Sequence, residues 1–121
     1  MELFRLGNFT AHSGQELSFK IECDALSDKD LRTLAALAAR RLAFSEVMGV
    51  PQGGILFASF LERYTKKDGP LLIVDDVLTT GNSMETARRA CGSDEVIGLV
   101  IFARGPCPSW IKPIFSLSDW V

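Results

Sequence analysis

The stretch Leu71-Leu72-Ile73-Val74-Asp75-Asp76 constrains the fold more than any other, because four apolar residues without a polar interruption run straight into two carboxylates. A strand exposed on one face alternates apolar with polar side chains. An unbroken apolar run is instead a strand covered on both faces, the habit of parallel sheets flanked by helices. Val96-Ile97-Gly98-Leu99-Val100-Ile101-Phe102-Ala103 is a second such run and Val47-Met48-Gly49-Val50 a shorter third. Between them lie helical patterns. Ser27, with Asp30 three residues on, caps a predicted helix from Asp28 to about Ala43, with Leu31, Leu34, Ala35, Leu37, Ala38 and Leu42 at helical spacing. Ile55 to Arg63 and Met84 to Ala90 read as two more helices, and Ile114 to Leu117 as a last short strand. Strands alternating with helices predict an α/β fold, a three-layer sandwich around a central parallel sheet.

Residues 1–26 depart from this pattern and form a small N-terminal segment ahead of the α/β core at 27–121. Leu17, Phe19, Ile21 and Cys23 alternate with Ser18, Lys20 and Glu22, so this piece is a half-exposed strand. A chain of 121 residues with 47% hydrophobic content suits one domain with a core of its own. A net charge of −2 without a Lys/Arg block gives no electrostatic draw toward nucleic acid. No apolar run reaches the length of a membrane span and the N-terminus lacks the pattern of a signal peptide, so a soluble cytoplasmic protein is expected. Cys23, Cys91 and Cys107 have no metal-ligand spacing and read as reduced core residues.

Ligands of open α/β sheets sit beyond the carboxyl ends of the strands, where a helix N-terminus presents free N–H groups and a positive dipole end. Thr79, Thr80, Gly81, Asn82 and Ser83 lie at such a point: hydroxyl donors, a glycine that permits close approach, and a helix start. Asp75 and Asp76 repel a phosphate but accept hydrogen bonds from vicinal sugar hydroxyls. The implied ligand is a phosphorylated sugar. The competing reading is an acidic turn with a capped helix and two solvated carboxylates.

Val74-Asp75-Asp76-Val77-Leu78-Thr79-Thr80-Gly81 resembles the phosphoribosyl pyrophosphate (PRPP) motif of type I phosphoribosyltransferases, and the chain as a whole resembles a shortened orotate phosphoribosyltransferase. The resemblance implies that Asp75 and Asp76 hold the ribose 2- and 3-hydroxyls in catalysis while Thr79 to Ser83 wrap the 5-phosphate. It implies that Val50-Pro51-Gln52-Gly53-Gly54 is the pyrophosphate loop, whose backbone N–H groups form an anion nest. Mg²⁺ would be the cofactor, bound through PRPP and not directly by the protein, and the assembly a homodimer. Phe9-Thr10-Ala11-His12-Ser13-Gly14 resembles the turn that leads into the family's hood over the base. On the base side the resemblance places His12, Phe19, Glu85 and Arg104. Glu85 stands where orotate enzymes commonly have arginine, so a glutamate facing the base would repel orotate and accept from an amino-bearing base.

The likeness breaks at Tyr64 to Pro70, seven residues where the family carries a long insertion with a mobile catalytic loop. The family's C-terminal helix is also missing, so Trp110 and Trp120 either cover core left open or fill a dimer contact. Two function classes therefore stand: a phosphoribosyltransferase joining a nitrogenous base to ribose 5-phosphate with release of pyrophosphate, and a non-catalytic PRPP- or nucleotide-binding module with a sensing or regulatory role.

Overall fold

The computed structural model describes residues 1–11 and 13–117. Strands β1 (Phe4–Thr10) and β2 (Glu16–Ile21) form an antiparallel hairpin, a two-stranded sheet of its own. After it come α1 (Asp28–Ala39), β3 (Glu46–Gly49), α2 (Ile55–Leu61), β4 (Leu71–Leu78), α3 (Asn82–Ala90), β5 (Val96–Ala103) and β6 (Ile111–Ser116). The second sheet has the order β3-β4-β5-β6, parallel throughout. Pro113 is accommodated in β6 because that strand is an edge, where a missing N–H is tolerated.

Each face of this sheet carries its own core. Leu72 and Val74 of β4 and Leu99 and Ile101 of β5 pack with Leu31, Leu34 and Ala35 of α1 and with Phe57, Ala58 and Leu61 of α2. Ile73 and Val100, one residue along each strand, face the other way and pack with Met84 of α3 and Ile111 of β6. Helices on both faces make the three-layer sandwich. Every step from β3 to β6 goes the same way across the sheet, yet α2 and α3 lie on opposite faces. The β3-α2-β4 and β4-α3-β5 crossovers therefore have opposite hands, and one of them is left-handed against the strong general rule.

The start of α1 is a full capping box: the Asp30 amide donates to Ser27 Oγ (3.1 Å) and the Ser27 amide to Asp30 Oδ2 (2.9 Å). The helix ends at Ala39, short of Ala43, and Phe44 beyond it is fully buried as part of the first core. Arg40 and Arg41 are exposed there, while Leu42 still packs against the first core from beyond the helix end. Among the described residues, no helix is long and apolar enough to cross a membrane.

Candidate active site

β4 does not stop at the carboxylates. It continues through Asp75 and Asp76 to Leu78, and its facing pattern changes on the way: Val74 and Val77, three residues apart, both pack against the first core, whereas Leu78 packs in the second. Strict alternation would put Val74 and Val77 on opposite faces. The irregularity falls on the aspartates, where the Asp76 amide donates to Asp75 Oδ1 (2.8 Å) and the Val77 amide to Asp76 Oδ1 (2.7 Å). The carboxylates thus hold the backbone of their own strand.

Asp75 is 8% exposed and stands in the buried set as its polar member. Burial, then the hydrogen bond and charge of Asp76, push its pKa from the ordinary 3.8 up to about 7. Cys23 nearby is a free thiol pushed up to about 12, first by burial and then by the surrounding carboxylates, which leaves it without thiolate character.

The turn after β4 has the layout expected of an anion site. Gly81 takes φ 86°, ψ 0°, the left-handed conformation that glycine adopts without steric cost, and caps α3. Thr80 Oγ1 accepts from the Asn82 amide (3.3 Å), and the first helical bond runs from the Glu85 amide to Gly81 O (3.0 Å). The amides of Ser83 and Met84 therefore precede the ladder at a positive helix end. Asp75, Asp76 and all five residues from Thr79 to Ser83 line one cavity of about 500 Å³, within the usual range for small-molecule sites.

The hairpin closes the opposite side of this cavity with Thr10, Ser13, Leu17, Lys20 and Ile21. Arg104, at the end of β5, lines it as well and lays its guanidinium over the Phe19 ring, 3.8 Å from the centroid. Burial pulls the Arg104 pKa below the ordinary arginine value. Lys20 pairs with Glu22 at 2.8 Å. Of the residues expected on the base side, Arg104 lines the cavity, Phe19 packs against Arg104 without being part of the lining, and His12 lies outside the described residues, as does Trp120.

Glu85 goes elsewhere. Its Oε1 accepts from Trp110 Nε1 at 2.8 Å, and it is not part of the cavity lining. One oxygen of the acceptor expected for an amino-bearing base is thus engaged by Trp110. Sequence patterns give no sign of this pairing, because the partners are 25 residues apart and on different elements. Thr10 and Lys20 carry no sequence signal for the cavity, since the alternation puts Lys20 on the face opposite Leu17 and Ile21, whose apolar pattern does mark an inward face.

Val50 to Gly54 lie beside the carboxylates rather than in the cavity wall. The Val50 amide donates to Val74 O (2.8 Å) and the Gly54 amide to Val50 O (2.9 Å), and the Pro51–Gln52 peptide is cis. The loop is pressed so closely on β4 that a Cβ at Gly53 would collide with the Asp76 carboxylate and one at Gly54 with the Val74 carbonyl oxygen. Among the described residues no group of three or more His, Cys, Asp or Glu side chains is arranged to hold a metal ion; Asp75 and Asp76 are two carboxylates in the cavity wall.

No protein-family model matches the chain. An orotate phosphoribosyltransferase of Pyrobaculum calidifontis is 32% identical over 131 aligned positions that take in 81% of this chain and 67% of that protein. Among solved structures, orotate phosphoribosyltransferase from Aeropyrum pernix matches with a TM-score of 0.75 at 22% identity, covering 97% of this chain and 89% of that one. The Mycobacterium tuberculosis orotate phosphoribosyltransferase in complex with Fe(III) dicitrate matches with a TM-score of 0.68 at 19% identity, over 96% and 90% of the two chains. These structural likenesses establish the fold, and the sequence relative establishes the descent: the chain belongs to the orotate phosphoribosyltransferase family of type I phosphoribosyltransferases.

Proposed function

We propose that this chain is a PRPP-dependent phosphoribosyltransferase that joins a nitrogenous base to ribose 5-phosphate and releases pyrophosphate. The observation that carries this reading is the meeting, in one cavity, of the Asp75–Asp76 pair with the glycine-capped start of α3. Thr79, Thr80, Asn82 and Ser83 wrap the 5-phosphate, and the carboxylates accept hydrogen bonds from the ribose hydroxyls. A base nitrogen bonds to C1 of the ribose as the C1–O bond to pyrophosphate breaks, and the sugar gains oxocarbenium character that the adjacent carboxylates favour. Backbone amides of the Val50–Gly54 loop meet the leaving group. Mg²⁺ would be held through the PRPP phosphates and hydroxyls rather than directly by the protein, with Asp75 and Asp76 facing the ribose hydroxyls. When bound it neutralises charge on the pyrophosphate.

The base end of the cavity carries Arg104 and Lys20, while the Glu85 charge is turned to Trp110. An anionic base therefore meets Arg104 without the Glu85 carboxylate facing it, and orotate is the first substrate to test. A cytoplasmic homodimer belongs to the same reading, with Ile55 and Leu56, about half exposed beside the pyrophosphate loop, as apolar surface for the second copy. Pyrophosphate release measured over a panel of bases tests the proposal: base-dependent release supports it, and no release with any base contradicts it.

A second reading, the non-catalytic PRPP-binding module, is favoured by the Tyr64–Pro70 turn. Lys66 N donates to Phe44 O (2.8 Å) and Ser45 N to Pro70 O (3.0 Å), which pins the turn at the amino end of β4. The Val50–Gly54 loop lies beside Val74 to Asp76, up to five residues along that strand or about 15 Å away at ~3.3 Å per residue, and the phosphate turn lies further still. Lys66 and Lys67 of the same chain cannot reach pyrophosphate from there. PRPP binding without turnover of any base would favour this module.

A further inference from the structure

α3 carries the phosphate-binding turn at its N-terminus, yet among its residues Met84 alone is fully buried. Ala87 packs beside it against the second core, and the first turn is held further by the loop between β5 and β6. Trp110 Nε1 donates to Glu85 Oε1 at 2.8 Å, and the Arg88 guanidinium, one turn further along α3, lies 4.8 Å from the centroid of the same indole. Room for this contact is made at Gly98 of β5, where a Cβ would stand 2.8 Å from Met84 Cε and 3.0 Å from Trp110 Cζ3. The indole is thus gripped by two side chains of one helix face and seated on a glycine in the adjoining strand. The Trp110 carbonyl in turn accepts from the Gly98 amide (2.8 Å), which ties the loop to the sheet.

We propose that Glu85 and Trp110 are positioning residues for the phosphate-binding turn: they strap the first turn of α3 to the sheet through the β5–β6 loop. Glu85 is the first residue of α3 whose amide enters the helical ladder, so fixing its side chain fixes the turn whose free amides precede it. The same hydrogen bond holds a carboxylate aside from a helix end that would receive a phosphate. The proposal rests on the phosphoribosyltransferase reading for its ligand but not for the strap.

Three variants test it: Glu85→Ala, which removes the acceptor, Glu85→Gln, which retains one without the charge, and Trp110→Phe, which keeps an aromatic ring and removes the N–H. PRPP affinity by calorimetry is read beside hydrogen exchange of the α3 amides. Glu85→Ala and Trp110→Phe should weaken PRPP binding about fivefold or more and speed exchange in the first turn of α3, on the scale of one lost side-chain hydrogen bond. Glu85→Gln should restore both to about the wild-type level. Unchanged affinity and unchanged exchange in Glu85→Ala would overturn the strap and leave the phosphoribosyltransferase reading standing. If the wild type binds no PRPP, the functional reading fails, and the exchange data alone uphold or overturn the strap.

Discussion

Asp75 is the residue in which fold and function conflict most directly. It is buried beside a second carboxylate, and its pKa is raised from 3.8 to about 7, so the folded free protein binds a proton more readily than the unfolded chain between those values. Stability linked to this group is accordingly greatest in acid, declines as pH rises from about 4 to 7, and levels off above. Asp75→Asn removes the charge while leaving Oδ1 to accept from the Asp76 amide. Thermal unfolding should show this variant more stable than wild type at pH 8, by on the order of a few kcal/mol, with the gain shrinking toward pH 4. A variant no more stable at pH 8 would contradict the assigned burial cost. The sequence made the pair visible as chemistry, but not its environment: two adjacent aspartates normally announce a loop, and only the hydrogen bonds from the Asp76 and Val77 amides show why a strand can keep them. Glu85 was illegible in the same sense. Its position in the motif suggests the base, and its partner is fixed by packing of a distant loop.

Elements with one dominant signal were legible. The span of β5 follows its continuous apolar run, and the N-terminus of α1 follows from Ser27 and Asp30. Boundaries that depend on tertiary support were not, as at the end of α1, at β4 beyond Val74, and in β6, which starts at Ile111 and passes through Pro113. The seam between the Val50–Gly54 loop and β4 yields a paired prediction. At Gly54 an added methyl meets the Val74 carbonyl and the Val50 amide, rigid backbone that cannot move aside, whereas at Gly53 it meets the Asp76 side chain, which can rotate. Gly54→Ala should therefore lower stability by about 1–3 kcal/mol or more in thermal or denaturant unfolding. Gly53→Ala should keep most of its stability and lose PRPP affinity, because the displaced group is the carboxylate proposed to hold the ribose. Equal unfolding midpoints for the two variants would contradict this division.

At the scale of the whole molecule, the four parallel strands deliver the aspartates and the α3 turn to one end, and the hairpin covers them. The opposed hands of the two crossovers have a topological reading: a path leaving α2 for a strand outside β3 before returning to β4 would give both crossovers one hand. That is the place where the family resemblance implies a longer chain. With the short turn pinned at the far end of β4, Lys66→Ala combined with Lys67→Ala should change neither PRPP affinity nor turnover by more than about twofold, consistent with the small effects of solvated surface charges. A strong loss of turnover in that variant would instead show that a second copy brings its turn to the cavity. The central claim is that the Asp75–Asp76 pair and the Thr79–Ser83 turn form a phosphoribosyl site. Its most direct test is calorimetric titration of PRPP with Mg²⁺ into the wild type and into Asp75→Asn combined with Asp76→Asn. Saturable binding by the wild type, weakened about tenfold or more in a double variant that remains folded, is the predicted result, as expected when charge-assisted hydrogen bonds to the ribose are lost. The same affinity in both proteins would contradict it.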